Sequence, residues 1–212
     1  MAGFRTHITV SGVLGVGCGA AAVQPLGFPT ETALLAAGLT GVGGMLPDLD
    51  SDSGVPIREM FGLAAVVLPL TLIPRLAYMH VSQEGILAML LFGYVFIRYP
   101  AAYVFKYFTV HRGMFHSIPA MFVAGLVVYL GYHSPDRRLR VLLACGVMAG
   151  FLSHLVLDEI YSVDLRGVKV KLKSSAGTAV KFVSPSMAAT MACYTLLGAL
   201  AYLAHLDYEA GN

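Results

Sequence analysis

The stretch LRVLLACGVMAGFLSHLVLD, Leu139–Asp158, decides the fold. It is apolar for nearly its whole length, and about 20 such residues cross a hydrocarbon layer as helix. Its far end carries Ser153, His154 and Asp158. The histidine and the aspartate stand four apart, which puts both on one face of a helix. Imidazoles and carboxylates are costly beside hydrocarbon, so a pair at the end of such a run points to function. Two further polar phrases interrupt the apolar chain: Leu46-Pro47-Asp48-Leu49-Asp50, and His111-Arg112-Gly113-Met114-Phe115-His116-Ser117.

The rest of the composition fits a membrane setting. Of 212 residues, 57% are hydrophobic and only 12% charged, with a mean hydropathy of +0.73. A soluble domain carries about 25% charged residues. The net charge of +2 is too small to imply a nucleic-acid partner. Cys18, Cys145 and Cys193 each stand alone in apolar surroundings, with no CxxC, so neither a thiolate zinc site nor a disulfide framework is indicated. The N-terminal apolar run could pass for a signal peptide, but the many spans that follow favour a retained first helix.

Apolar runs predict spans over Ile8–Gln24, Thr32–Met45, Met60–Met79, Ile86–Phe105, Ile118–Tyr132 and Leu139–Leu157, with a last helix over Ser186–His205. This is an all-α polytopic membrane protein of about six to seven transmembrane helices, read as a single membrane-embedded domain over residues 1–212. Asp48 to Arg58 reads as a polar loop. A polar insertion at about 159–185 holds a β-like ribbon near residues 166–183, because Val168 to Lys173 alternates strictly. Gly15 and Gly19 form a GxxxG pair, the spacing that lets membrane helices approach closely. Ser117 suits the N-cap of the fifth span.

Counting spans places His7, Asp48, Asp50, His111, His116, His154 and Asp158 on one face. His80, His133 and His205 fall on the other. The first face also carries Arg5, Arg58, Lys106, Arg112, Arg166, Lys169, Lys171, Lys173 and Lys181. By the positive-inside bias it faces the cytoplasm, although Arg137, Arg138 and Arg140 lie opposite. The Lys169, Lys171 and Lys173 edge is suited to anionic headgroups of membrane lipids.

Four histidines and three aspartates are the ligand types of a divalent metal, zinc above all, and their number suits two ions with a bridging carboxylate. Gly113 permits a turn bringing His111 and His116 together. Asp48 and Asp50 can point the same way from an extended loop. In this reading the seven residues hold metal, Asp50 or Asp48 orients the nucleophile, and Arg112 grips a phosphate oxygen. Glu159 is a reserve ligand or base. The expected chemistry is hydrolysis of a small-molecule or lipid phosphoester. A metal-binding transporter and a non-catalytic membrane scaffold answer the same composition, although transport sites generally lie nearer the midplane.

LPDLD, HRGMFHS and SHLVLD, in this order between spans, resemble the YdjM-like family of predicted membrane-bound metal-dependent hydrolases. The resemblance covers about residues 5 to 160. It implies an inner-membrane location and matches His7, Asp48, Asp50, His111, His116, His154 and Asp158 to the family's polar positions. That family is in turn distantly similar to zinc-dependent phospholipase C and related single-strand nucleases, which implies clustered zinc and phosphoester cleavage. Ser51 departs from the pattern, where many relatives have a further His.

Overall fold

The computed structural model describes residues 3–50, 55–104, 114–164, 171–172 and 180–210. Helices α1 (Phe4–Val23) and α2 (Thr30–Gly43) lead to a 3-10 turn at Leu46–Asp50. Then come α3 (Val55–Thr71), α4 (Ile73–Tyr78) and α5 (Gln83–Phe96), the last running on as a π turn over Ile97–Ala101. Helices α6 (Ile118–Gly131), α7 (Arg137–Ile160) and α8 (Met187–Ala210) complete the helices of the described residues. Where the sequence suggests one domain over 1–212, the helices form two compact units: Met1–Pro47 with Arg112–Asn212, and Asp48–His111.

Among the described residues, four helical stretches are long and apolar enough to cross a membrane: Phe4–Val23, Gln83–Val104, Arg137–Ile160 and Met187–Ala210. Helices α2 and α6 have 14 residues each. At ~1.5 Å per residue they reach about 21 Å, short of the ~30 Å hydrocarbon layer. The six to seven spans expected from apolar runs therefore count segments that, by length, do not all cross unaided.

The first unit is built around α7, which packs against α1, α2 and α6. Hydrocarbon tails are as apolar as leucine, so burial drives little association in lipid, and close van der Waals approach has to do so instead. The sequence provides for it. The buried face of α1 is His7, Ser11, Gly15, Gly19 and Ala22. On α2 it is Ala33, Ala36, Thr40 and Gly43. A Cβ on Gly15 would stand 2.5 Å from the Ala37 carbonyl oxygen, and one on Gly19 would stand 3.0 Å from that of Ala33. The GxxxG reading is thus borne out. The same device seats α7 on α2: a Cβ on Gly43 would collide with the Val147 carbonyl, and one on Gly150 with the Thr40 carbonyl. Beside this seam Met121, Phe151 and Leu155 form an apolar core, with Leu46, Ile118 and Met148 packed against it.

Side chains cap the helices where the sequence signals it. Ser117 Oγ accepts from Ala120 N at α6, as expected, and Asp136 accepts from Arg138 N at α7. The opposite end of the unit is held by arginines. Arg140 pairs with Asp207 of α8 at 2.8 Å and lies over the Tyr129 ring at 4.2 Å. Arg137 lies over Tyr208 at 4.2 Å and donates to its carbonyl oxygen.

In the second unit, α3 begins at Val55, so the polar loop expected as far as Arg58 is shorter than the sequence suggested. Pro56 explains the early start, because a proline in the first helical turn forfeits no hydrogen bond. The apolar segment Met60–Met79 divides at Leu72, just before Pro74, which occupies the first turn of α4. Arg98 donates to the Arg58 carbonyl oxygen at 2.6 Å and ties the π turn to α3. Most of the ribbon expected near 166–183 lies outside the described residues. The part described is a two-residue antiparallel pair, Val163–Asp164 with Lys171–Leu172.

The seam predicts a sharp contrast between glycines. Gly150→Ala should destabilise the protein by about 1–3 kcal/mol or more, because the added methyl meets backbone. Gly12→Ala, with nothing within 4 Å, should stay within about 0.5 kcal/mol of the parent. Thermal unfolding in detergent reads the difference, and equal midpoints for the two variants would refute the packing account.

Candidate metal centre

One end of the α1–α2–α7 seam closes over a polar cluster. His154 lies four residues beyond Gly150 on the buried face of α7, and Asp158 lies four beyond that. His7 occupies the corresponding end of the α1 stripe. His116 immediately precedes the N-cap of α6. His7, His154 and Asp158 are 2%, 0% and 3% exposed.

The contacts are tight. His7 Nε2 is 3.2 Å from Asp158 Oδ1. His154 Nε2 and His116 Nε2 each stand 3.7 Å from Asp158 Oδ2. The His7 and His154 rings stack with centroids 3.6 Å apart and planes 10° from parallel. His116 meets His154 edge-on at 5.4 Å. One ligand atom each from His7, His154 and Asp158 can be chosen so that all lie within 4.8 Å of one another.

The orientation of His154 follows from one hydrogen bond. Its Nδ1 is 2.7 Å from the Gly44 carbonyl oxygen, and the contact is buried. A carbonyl only accepts, so Nδ1 carries the proton and donates. In the neutral ring Nε2 then presents a lone pair toward Asp158, the arrangement by which a backbone carbonyl orients a metal-binding histidine.

The donor set fits a metal. Two ligands ~2.0–2.1 Å from a tetrahedral zinc are ~3.3 Å apart, close to the separations around Asp158. His7 Nδ1 is sealed from solvent and has no hydrogen-bond partner among the described residues. Leaving such an atom unsatisfied costs about 1–3 kcal/mol, so a partner beyond the described residues is expected.

Of the predicted site residues, the structure brings together His7, His116, His154 and Asp158. Asp48 lies half-buried in the 3-10 turn, at the start of the second unit. The backbone of Asp50 is in the same turn, but its side chain lies outside the described residues, as do His111 and Arg112. The three histidines assigned to the other face are all exposed: His80 lies in the turn after α4, His133 follows α6, and His205 pairs with Glu209 at 3.4 Å. The sequence gives no sign of the role of Gly44, since a backbone acceptor leaves no side-chain signature. Its proximity to Ser11, whose side chain a Cβ on Gly44 would strike, places it in the same seam.

The description of the YdjM inner membrane protein family matches residues 1–206. The chain belongs to that family. Membership in the YdjM family accords with the spanning helices and with the resemblance read from LPDLD, HRGMFHS and SHLVLD. No curated protein and no solved structure matches the chain.

If this cluster of the YdjM-family protein holds metal, His154→Ala and His7→Ala should each lower bound metal by tenfold or more. His133→Ala should leave it at the parent level. Elemental analysis of the purified variants decides, and equal metal in all three would remove the centre.

Proposed function

We propose that the protein is a membrane-bound metal-dependent hydrolase acting on a phosphoester. The observation that carries this reading is the convergence of three imidazoles on the two oxygens of Asp158 at a nearly sealed helix end. His7 faces Oδ1, while His116 and His154 face Oδ2. A carboxylate whose two oxygens address different imidazoles has the form of a bridging ligand, which supports a site for two divalent ions, zinc by its nitrogen and oxygen donors.

Bound metal would supply Lewis acidity and activate water for attack on phosphorus. The residues of the chain set the rest. His154, fixed through Gly44, presents Nε2 without reorganising. Asp158 holds the negative charge that a cation needs in a poorly solvated place. His116, with 12% of its side chain exposed, is the most accessible of the four and marks the side from which substrate enters. Asp48 is assigned as a second carboxylate ligand, the role its phrase gives it. Asp50, His111 and Arg112 keep the roles given by their phrases: ligand and water-orienting base, ligand, and phosphate clamp.

The site is proposed to face the cytoplasm at the inner membrane, where a lipid headgroup or a soluble phosphoester could reach it. The arginines on the opposite face have a packing reason to be there, since Arg137 and Arg140 bind the end of α8. They therefore weigh less against the orientation given by the basic residues near the site. A site at helix ends favours hydrolysis over transport, whose sites lie nearer the midplane.

The purified protein should cleave a generic phosphodiester such as bis(p-nitrophenyl) phosphate. Chelation should abolish the activity, and Asp158→Asn should reduce it roughly 10–100-fold or more. Rates unaffected by both chelator and substitution would refute the reading. Metal-dependent flux in proteoliposomes without hydrolysis would replace it with transport.

A further inference from the structure

The other end of α7 carries a different combination of charge and apolar surface. A groove of about 470 Å³ is floored by Val141, Leu142 and Cys145 and walled by Leu26 and Phe28 of the α1–α2 connection. Arg137 and Arg138 form its rim. Arg138, Val141, Leu142 and Cys145 follow the i, i+3, i+4, i+7 spacing, so they share one face of the helix. That face is distinct from the one bearing Leu143, Val147, Gly150 and His154, which is buried in the seam.

The charge balance at the rim is unusual for a chain this apolar. Arg140, one turn away, is neutralised by Asp207. Arg137 and Arg138 have no carboxylate at ion-pair distance among the described residues. Arg137 donates to the Tyr208 carbonyl at 3.1 Å, and Arg138 to the Leu26 carbonyl at 3.5 Å. Both bonds end on neutral carbonyls, and Asp207, which pairs directly with Arg140, acts on Arg137 only through its charge; each guanidinium has five N–H donors. Arg138 also sits 5.6 Å from the Phe28 ring centroid, which holds it over the groove wall.

We propose that this groove binds one anionic phospholipid, its phosphate on Arg137 and Arg138 and an acyl chain along Val141, Leu142 and Cys145. The depth agrees. Arg138 to Cys145 descends ~10 Å along the helix, within the ~15 Å that one leaflet contributes to the hydrocarbon. Cys145 and Val141 are exposed, so the groove opens sideways where a lipid would enter. Free phosphate or an acidic peptide would satisfy the rim and leave the apolar floor uncovered. Arginine suits the headgroup because its planar fork takes two phosphate oxygens at once.

The chain contains no tryptophan, so Leu142→Trp places a single fluorophore in the groove. In phosphatidylcholine nanodiscs doped with brominated-chain phosphatidylglycerol, its fluorescence should be quenched several-fold more than with the same fraction of brominated phosphatidylcholine. Adding Arg137→Gln and Arg138→Gln should lower quenching to the phosphatidylcholine level. Because these arginines also hold neighbouring elements, the comparison of the two lipids with both arginines intact stands as the primary test. Leu26→Trp repeats it from the groove wall in case the bulk at position 142 fills the site. Equal quenching by both lipids at both positions overturns the proposal. So does release of the brominated phosphatidylglycerol by inorganic phosphate alone, which would reveal a site for charge only.

Discussion

The hydrogen bond from His154 Nδ1 to the Gly44 carbonyl is the contact on which the rest of the first unit converges. A fully buried imidazole needs its nitrogens satisfied, and a backbone acceptor can supply one only if two helices nearly touch. That requirement explains the small residues. Gly43 and Gly150 leave no side chain between α2 and α7, and Gly15 and Gly19 do the same for α1 and α2. In a hydrocarbon surrounding, where burial itself contributes little, this backbone approach supplies both cohesion and position. The polar cluster is therefore the far end of the packing seam, and its geometry is as fixed as the seam.

The two ends of α7 are built on opposite chemistry. One end gathers imidazoles around a carboxylate out of reach of solvent. The other uses arginines as clamps: Arg140 on Tyr129 and Asp207, Arg137 on Tyr208, and Arg138 on the turn after α1. A long helix fixed in this way cannot readily slide or rotate, so His154 and Asp158 keep their place relative to His7. Among the described residues only Arg140 has a carboxylate at ion-pair distance, and the proposed lipid site draws on the other two guanidiniums.

Much of this was legible in the sequence. His154 and Asp158, four apart at the end of an apolar run, had to share a face, and counting spans put His7 and His116 with them. The same counting set His133 and His205 aside, and both are exposed at the arginine-clamped end. Gly15 and Gly19 read correctly as a close-packing pair. Other features carry no side-chain pattern. The Gly44 carbonyl is a backbone group, and its role depends on a partner 110 residues away. Apolar runs reveal helices but not whether fourteen residues suffice to cross, which is why α2 and α6 count as spans by composition and fall short by length. The start of α3 at Val55 turned on where Pro56 sits within a helical turn, a positional effect that a polar composition conceals. The grouping of Arg137, Arg138 and Arg140 looked like a topological signal because the sequence does not show which ring or carbonyl each one meets.

The central claim is that the buried histidines and Asp158 hold a metal directly. X-ray absorption at the zinc edge of the purified, zinc-loaded protein tests it without reference to catalysis. The account predicts a first shell of nitrogen and oxygen donors at ~2.0–2.1 Å with the outer-shell scattering of at least two imidazoles. A zinc spectrum lacking imidazole scattering, or a protein that retains no zinc through purification and loading, would contradict it.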